Sequence, residues 1–278
     1  MITVALIDNT KITYNSFNEI INHNKIIKLD CSRNKLTCLP DLIGELINLQ
    51  NLDCSHNQLT SLPESLCELI NLKQLHCDFN RLKTLPESIS NLTNLKELYC
   101  SNNELTFLPE SISNLTNLKE LYCNNNKLTT LPDLIGNLIN LKELDCSYNK
   151  LTFLPNLIDN LINLEYLHCS YNKLTYLPDS IGNLINLRKL FCSHNQLTFI
   201  PESISNLINL KELYCSYNKI KELPETIINL KNIDVFNKDE LTLTPQQERY
   251  FKWIKSHKQF PFEEHVDMVL VKCAYFGV

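Results

Sequence analysis

The chain has 278 residues, of which 44% are hydrophobic and 21% charged, with a net charge of −5 and a pI near 5.8. This composition is typical of a soluble globular protein and excludes extensive disorder. The acidic balance, with no basic stripe, argues against nucleic acid or an anionic membrane as a partner. No run of about 18 apolar residues is present to span a membrane.

Residues 1–25 precede the first regular motif. This segment partly matches the convex half of the repeat described below, at Phe17, Ile20 and Ile21. We therefore predict that residues 1–25 form an N-terminal cap. The apolar stretch in MITVALIDNTK has no basic residue before it and ends at Asp8. This pattern predicts that it is not a secretory signal. We therefore expect a cytoplasmic protein, with the nucleus as the alternative, that is not secreted.

A unit of 23 residues repeats between residues 26 and 240, as nine full copies without insertion or deletion and a degenerate last copy. The stretches 94–116 and 117–139 read NLKELYCSNNELTFLPESISNLT and NLKELYCNNNKLTTLPDLIGNLI. Each copy has the spacing L-x-x-L-x-C-x-x-N-x-L, with Ile at some Leu positions, followed by Leu-Pro or Ile-Pro. A fixed period of this kind indicates a solenoid. The phased cysteines are Cys31, Cys54, Cys77, Cys100, Cys123, Cys146, Cys169, Cys192 and Cys215.

Elementary geometry predicts what one copy builds. The alternation in L-x-C gives a short strand with Leu and Cys turned inward, and copies in the same register stack as parallel strands about 4.8 Å apart. The Asn three residues after each Cys ends the strand in a buried turn, where its amide bonds backbone groups of its own and adjacent coils. Pro cannot extend the ladder and sends the chain to the outer side. We predict a curved, right-handed α/β solenoid with a parallel concave sheet and a convex side of turns and short helical segments.

The motif resembles the leucine-rich repeat, with Cys at a position that usually holds Leu or another apolar residue. The length of 23 residues and the second half LTxLPxxIxNLxNL are similar to the intracellular class typified by Ras-suppressor and Shoc-type proteins. The resemblance covers about residues 26–240. It implies a leucine-rich repeat horseshoe that acts as a scaffold or regulator in signalling.

The phased cysteines invite a chemical interpretation that their surroundings do not favour. Their neighbours in phase are inward Leu residues, so each thiol is expected to fill a core position as a small hydrophobe. Equivalent thiols in stacked coils are poorly oriented for unstrained disulfides, and a row of free thiols favours a reducing compartment. No C-x-x-C pair or His partner has the spacing of a zinc site.

Function is expected on the concave face, at positions that packing leaves free. One residue before each Cys and two residues after it, aromatic and His side chains form two adjacent outward columns where Lys, Glu, Ser and Thr would suit a merely solvated face. Aromatics with a polar tip are enriched at the centres of protein interfaces. The predicted partner-binding residues are His76, Phe79, Tyr99, Tyr122, Tyr148, His168, Tyr171, Phe191, His194, Tyr214 and Tyr217.

Other interpretations of these columns remain open. Aromatics also suit strands, so the alternative interpretation is that the columns stack along the ladder for stability. Asp53, His56, His76 and Asp78 lie on neighbouring coils and are ligand types for a transition metal, but their side chains diverge outward. Repeat positions do not assemble a nucleophile with a base, and the few glycines form no phosphate loop. We expect neither an enzyme nor a cofactor.

Residues 241–278 depart from the repeat. Thr244, Pro245 and Gln247 form a helix-start signature in TPQQERYFKWIKSHK, and the last residues read as an apolar strand. We predict a C-terminal helical cap and tail, with a partner-binding tail as the alternative. The region is too small for an independent catalytic domain.

These observations predict a non-catalytic interaction module or scaffold that binds a protein partner on its concave face. One alternative is a substrate adaptor for a ubiquitin ligase, although no F-box-like module is visible before Ile26. The other is a cytosolic inhibitor that wraps its target enzyme. We expect a monomer, with no nucleic-acid or membrane partner.

Overall fold

The computed structural model describes residues 1–21, 23–230, 233–236 and 241–257. It divides into two compact units, Met1–Leu243 and Thr244–Val278. The first unit is a solenoid, which confirms the predicted fold class, and the described part of the second unit is one helix.

One sheet of twelve strands runs through the first unit. Its order is β12 through β3 in sequence, followed by β1 and β2. Strands β3 to β12 are parallel, and each residue pairs with the residue in the same phase of the next coil, as Leu121 pairs with Leu144. The strands are β1 Ile2–Leu6, β2 Lys11–Tyr14, β3 Ile26–Asp30, β4 Asn51–Asp53, β5 Gln74–His76, β6 Glu97–Tyr99, β7 Glu120–Tyr122, β8 Glu143–Asp145, β9 Tyr166–His168, β10 Lys189–Phe191, β11 Glu212–Tyr214 and β12 Asp234–Phe236.

Short 3-10 helices occupy the convex side. In most coils the Leu-Pro proline sits at the helix start in an extended conformation, as Pro109 does with ψ 141°, since its ring holds φ and removes a backbone donor. The described 3-10 helices are Phe17–Glu19, His23–Lys25, Asp41–Glu45, Glu64–Glu68, Glu87–Asn91, Glu110–Asn114, Ile135–Asn137, Asn156–Asn160, Asp179–Asn183, Glu202–Asn206 and Glu225–Asn229.

The phased asparagines form the predicted ladder between coils. Asn126 Nδ2 donates to the carbonyls of Cys100, Cys123 and Asn124 at 3.0, 3.0 and 3.3 Å, and its Oδ1 accepts from Leu105 N at 3.0 Å. One side chain thus satisfies buried backbone groups of two coils. The same pattern of donated bonds recurs at Asn57, Asn80, Asn103, Asn149, Asn172, Asn195 and Asn218.

The phased cysteines lie in the core, as predicted. All nine are between 0% and 1% exposed, and several thiols donate a weak bond to a carbonyl of the next coil, as Cys77 Sγ does to Tyr99 O at 3.3 Å. Burial raises the pKa of Cys169 and of Cys215 to about 12, because the thiolate would lose its hydration. These thiols are therefore protonated and poorly nucleophilic at neutral pH.

An antiparallel hairpin begins the solenoid. Strand β1 pairs with β3 on one side and with β2 on the other, both antiparallel. Ile2, Val4 and Leu6 alternate inward and are buried, so the hairpin extends the sheet beyond the first parallel coil. The repeat pattern does not predict this hairpin, because residues 1–25 carry only the convex half of the motif.

The second unit contains helix α1, Pro245–His257. The predicted helix start is confirmed: Gln247 N donates to Thr244 Oγ1 at 3.2 Å, and Thr244 N donates to Gln247 Oε1 at 3.0 Å. This reciprocal pair is a capping box. The strand expected in the tail lies outside the described residues.

Candidate partner-binding face

The structure separates the predicted site residues into two columns on the concave side. The strand column holds the residue before each Cys and includes His76, Tyr99, Tyr122, Asp145, His168, Phe191 and Tyr214. The turn column holds the second residue after each Cys, where the chain leaves the strand, and includes His56, Phe79, Asn102, Asn125, Tyr148, Tyr171, His194 and Tyr217. The two columns differ in backbone, exposure and hydrogen bonding.

Four aromatic rings of the turn column form one continuous stack. Tyr148, Tyr171, His194 and Tyr217 succeed one another with ring centroids 4.0, 4.0 and 4.1 Å apart and ring planes within 17° of parallel. Tyr148 is 37% exposed and Tyr217 is 64% exposed. The stack is therefore partly open to solvent while its inner ring faces cover each other.

A second, shorter stack lies in the same column near the N-terminus. His56 and Phe79 stack with centroids 4.3 Å apart. The next two coils carry Asn102 and Asn125 instead of rings. The asparagines interrupt the column and divide its aromatic surface into two segments.

Every residue of the turn column listed above has a left-handed backbone. Tyr148, Tyr171, His194 and Tyr217 have φ of 50°, 54°, 52° and 54°. This region is costly for residues with bulky side chains and is occupied mainly by Gly, Asn and Asp. Asn125 has φ 52° in the same turn, and Asn adopts this conformation at a lower energetic cost than Tyr. The coils therefore carry aromatic rings at positions where Asn is compatible with the turn.

A shallow open groove runs beside the four-ring stack. It has a volume of about 530 Å³ and is lined by Tyr148, Tyr171, His194 and the neighbouring asparagines of three coils. A groove with aromatic edges and amide groups along its length offers both apolar contact and hydrogen bonds to an extended partner.

Two tyrosines of the strand column direct their hydroxyls back into the protein. His76, Tyr99 and Tyr122 stack at 4.4 and 4.6 Å. The Tyr99 hydroxyl donates to Glu120 and the Tyr122 hydroxyl donates to Glu143, each on the next coil. Burial first, and then these hydrogen bonds, raise the pKa of both phenols well above the usual range. These rings are tied to the sheet beneath them.

His168 does not line an exposed surface, contrary to its place among the predicted binding residues. The residue is 3% exposed, and its Nδ1 lies 3.4 Å from Asp145 Oδ2 on the preceding coil. Tyr166 meets its ring edge-on, and Phe191 covers it at 5.1 Å. Flanking aromatic side chains therefore withdraw His168 from solvent, an effect that the 23-residue period alone does not reveal.

The acidic and His residues of the first coils do not form a metal centre. No group of three or more His, Cys, Asp or Glu side chains converges to hold an ion among the described residues. Burial raises the pKa of Asp78 to about 7, against a hydrogen bond of 2.8 Å that its Oδ1 accepts from Ser101 N. Burial also lowers the pKa of His56, with a smaller contribution from Arg33.

Two sets of exposed side chains outside the predicted site follow the turn column in the C-terminal coils. One contains Lys150, Lys173 and Lys219, two residues after Tyr148, Tyr171 and Tyr217. The other contains Phe153, Tyr176 and Phe199, five residues after Tyr148, Tyr171 and His194. The 23-residue period that indicates the concave columns also indicates these two sets of residues. A third exposed column lies four residues before the start of each strand and contains Ile139, Ile162, Ile185 and Ile208.

Comparisons with known proteins agree with this architecture. Three family models match: a leucine-rich repeat region at residues 6–124, a leucine-rich repeat at 117–138, and paired leucine-rich repeats at 139–183 and 185–232. No curated protein matches the sequence. In the described residues, no helix has the length and apolarity needed to cross a membrane.

Solved structures similar to the chain include receptors and a bacterial protein. The plant peptide hormone receptor RGFR1, in complex with RGF2, is 30% identical, covering 81% of this chain and 38% of that one, with a TM-score of 0.74. The ectodomain of the Arabidopsis thaliana receptor kinase GASSHO1/SCHENGEN3, in complex with CASPARIAN STRIP INTEGRITY FACTOR 2, is 36% identical, covering 75% of this chain and 26% of that one, with a TM-score of 0.69.

The functional domain of InlJ from Listeria monocytogenes, which includes a cysteine ladder, is 29% identical, covering 78% of this chain and 52% of that one, with a TM-score of 0.58. The chain thus spans between about a quarter and about half of the length of these three structures. The family matches, the stacked coils and the asparagine ladder together show that the chain belongs to the leucine-rich repeat proteins.

Proposed function

We propose that the chain is a non-catalytic interaction module that binds a protein partner on its concave face, through the turn column of its C-terminal half. The observation that carries this proposal is the four-ring stack at left-handed backbone positions. Each such residue costs on the order of 1 kcal/mol or more relative to a relaxed conformation. The rings lie outside the Leu and Cys core, so core packing does not require them.

The surface of this stack suits a protein interface. Each Tyr can bury about 150 Å² or more, and four adjacent rings would supply a large part of the roughly 800 Å² that one partner contributes to a standard interface. Tyr is also among the residues most enriched at the energetic centres of interfaces. Two related structures, those of RGFR1 and GASSHO1/SCHENGEN3, contain bound protein or peptide ligands, which supports a binding role for this solenoid.

We further propose a place in a reducing compartment, the cytosol or nucleus, and a scaffold role like that of the Ras-suppressor and Shoc-type class. The repeat length of 23 residues supports that class. Related structures include an ectodomain, so the fold alone does not decide the compartment. The buried free thiols of nine coils support a reducing one.

Thiol titration tests the compartment. In the protein purified without reductant, exposed Cys38 is expected to react rapidly, whereas the nine core thiols should react only after denaturation because burial holds them protonated. Titration of fewer than the twelve thiols of the sequence in the denatured protein, rising after reduction, would reveal disulfides and contradict both the core role and the reducing compartment.

A cross-linking experiment tests the binding face. A photo-reactive amino acid at position 217 in the native host identifies the partner, and binding of that purified partner is then compared between the native protein and a Tyr148→Ser/Tyr171→Ser/Tyr217→Ser variant. Each aromatic anchor can contribute about 2 kcal/mol or more, so the triple change should weaken binding by a factor on the order of 10⁴.

The matched control is Ile139→Ser/Ile162→Ser/Ile185→Ser, which removes exposed apolar side chains from the other side of the strand. It should leave binding unchanged. Full binding by the tyrosine variant, or equal loss in the isoleucine variant, would move the site off the turn column. A tyrosine variant that unfolds would instead favour the interpretation that the stack serves stability.

A further inference from the structure

We infer that the segment bound by the turn column is an extended, acidic peptide, held between the aromatic stack and a lysine column formed by Lys150, Lys173 and Lys219. The inference rests on the proposed function and adds the chemistry of the partner. It follows from the arrangement of charges beside the stack.

The lysine column is held in register with the stack. Each lysine follows a turn-column residue by two positions, and its backbone N–H donates to the preceding coil at 2.8 Å, as Lys150 N does to Leu128 O and Lys173 N to Leu151 O. All three lysines are exposed. The ladder therefore holds the backbone of the three lysines in one line, with Gln196 in place of a charged residue in the coil between Lys173 and Lys219.

Three other lysines on this solenoid have acidic partners. Lys127, which holds the same phase one coil before Lys150, contacts Glu104 at 2.8 Å, Lys142 contacts Glu165 at 3.3 Å, and Lys189 contacts Glu212 at 3.0 Å. None of the described residues forms an ion pair with the three lysines of the column. On a chain with a net charge of −5, a line of uncompensated positive charge beside an aromatic groove is a local feature that an anionic ligand would complement.

Aromatic side chains precede all three lysines along the chain and follow two of them. The four-ring stack precedes the column, and exposed Phe153 and Tyr176 follow Lys150 and Lys173. Apolar surface around an ammonium group lowers the local dielectric when a ligand covers it, which strengthens its attraction to a carboxylate. Tyrosine hydroxyls add hydrogen bonds to the same group, and this protein already uses that contact between Tyr99 and Glu120.

The geometry favours a peptide over a nucleic acid. Bases bind single-strand readers by stacking on open ring faces, but the faces inside this stack are covered by the next ring at 4.0 to 4.1 Å. A peptide needs only ring edges, ammonium groups and amides. From Lys150 to Lys219 the column crosses three coil steps, about 14 Å at a strand spacing near 4.8 Å. About five extended residues cover that length.

The test uses a displayed library of random 12-residue peptides selected against the full chain. We compare the native protein with Lys150→Glu/Lys173→Glu/Lys219→Glu and with the matched control Lys96→Glu/Lys119→Glu/Lys211→Glu, which changes the charge equally at exposed, unpaired lysines before the strand. The native protein and the control should select peptides enriched in Asp and Glu. The lysine-column variant should lose that enrichment.

Affinity for the most enriched peptide should fall about tenfold or more in the lysine-column variant and on raising NaCl from 0.05 to 0.5 M. Selection of neutral or basic peptides, no selection at all, or equal loss in the control would overturn the acidic assignment. A Tyr171→Ser/Tyr217→Ser variant separates the two proposals. If it loses binding of selected neutral peptides, the binding face stands and only the acidic chemistry fails; if selected peptides bind it normally, the binding face fails as well.

Discussion

The strand column and the turn column lie three residues apart in the same coils and use the same residue types, yet the structure assigns them different surroundings. Tyr122, in the strand column, donates its hydroxyl to Glu143 and is half-buried. Tyr217, in the turn column, has a left-handed backbone and is 64% exposed. The comparison teaches that a shared outward phase does not fix the surroundings of a ring. In the strand column the hydroxyl of Tyr122 is satisfied within the sheet, whereas in the turn column the ring of Tyr217 is exposed on a left-handed backbone.

Removal of the support beneath the columns should have the largest effect on stability. Asn126→Ala would leave Leu105 N and the carbonyls of two coils without their partner. Unpaired buried backbone groups cost about 1 to 3 kcal/mol each, so we expect a loss of about 3 kcal/mol in the free energy of unfolding, measured by urea denaturation. Exposed Asn137→Ala is the control and should change little. A small loss for Asn126→Ala would show that water replaces the amide.

Removal of hydroxyls distinguishes the columns directly. Tyr99→Phe/Tyr122→Phe deprives two half-buried carboxylates of donors, and we expect a loss of about 2 kcal/mol in the free energy of unfolding. Tyr171→Phe/Tyr217→Phe should cost less than about 0.5 kcal/mol because surface changes away from such networks are usually that small. If urea denaturation gives the same loss in the free energy of unfolding for both double variants, the hydroxyls of the two columns do not differ in their contribution to stability.

The smallest expected change concerns strain in the turn column. Tyr217→Asn places a residue suited to φ 54° at the exposed end of the stack. Relief of backbone strain offsets the lost contact with His194, so the free energy of unfolding should stay level or rise by about 0.5 kcal/mol, while partner binding falls. A destabilisation of more than about 1 kcal/mol in thermal denaturation would make this end of the stack structural.

Most of the solenoid was predictable because each coil repeats the same inward residues in the same phase. Leu98, Cys100 and Asn103 occupy the strand, core and turn positions that the spacing indicates. The helix start at Thr244 was predictable for a similar reason, since a capping box is a local signal. The N-terminal hairpin was not, because its strands pair through tertiary contacts without a repeat.

The candidate site was predictable as a set of positions and less so as a set of environments. The period places Tyr122 and His168 in the same outward column as Tyr214, but it does not report the carboxylate that receives a hydroxyl or the rings that cover His168. These contacts form between side chains of different coils, and the sequence pattern of one coil does not predict them.

The constant length of the coils has a consequence for how such a protein can change over generations. Because residues 117–139 enter and leave the repeat at the same phase, their loss would join residue 116 to residue 140 and bring β6 beside β8 with the same pairing. A gene built of near-copies invites unequal exchange during recombination, and here such an exchange yields a shorter or longer solenoid rather than a broken one. Lineages can thereby lengthen, shorten or splice the binding surface by whole coils, while the aromatic and lysine residues on each coil are inherited together.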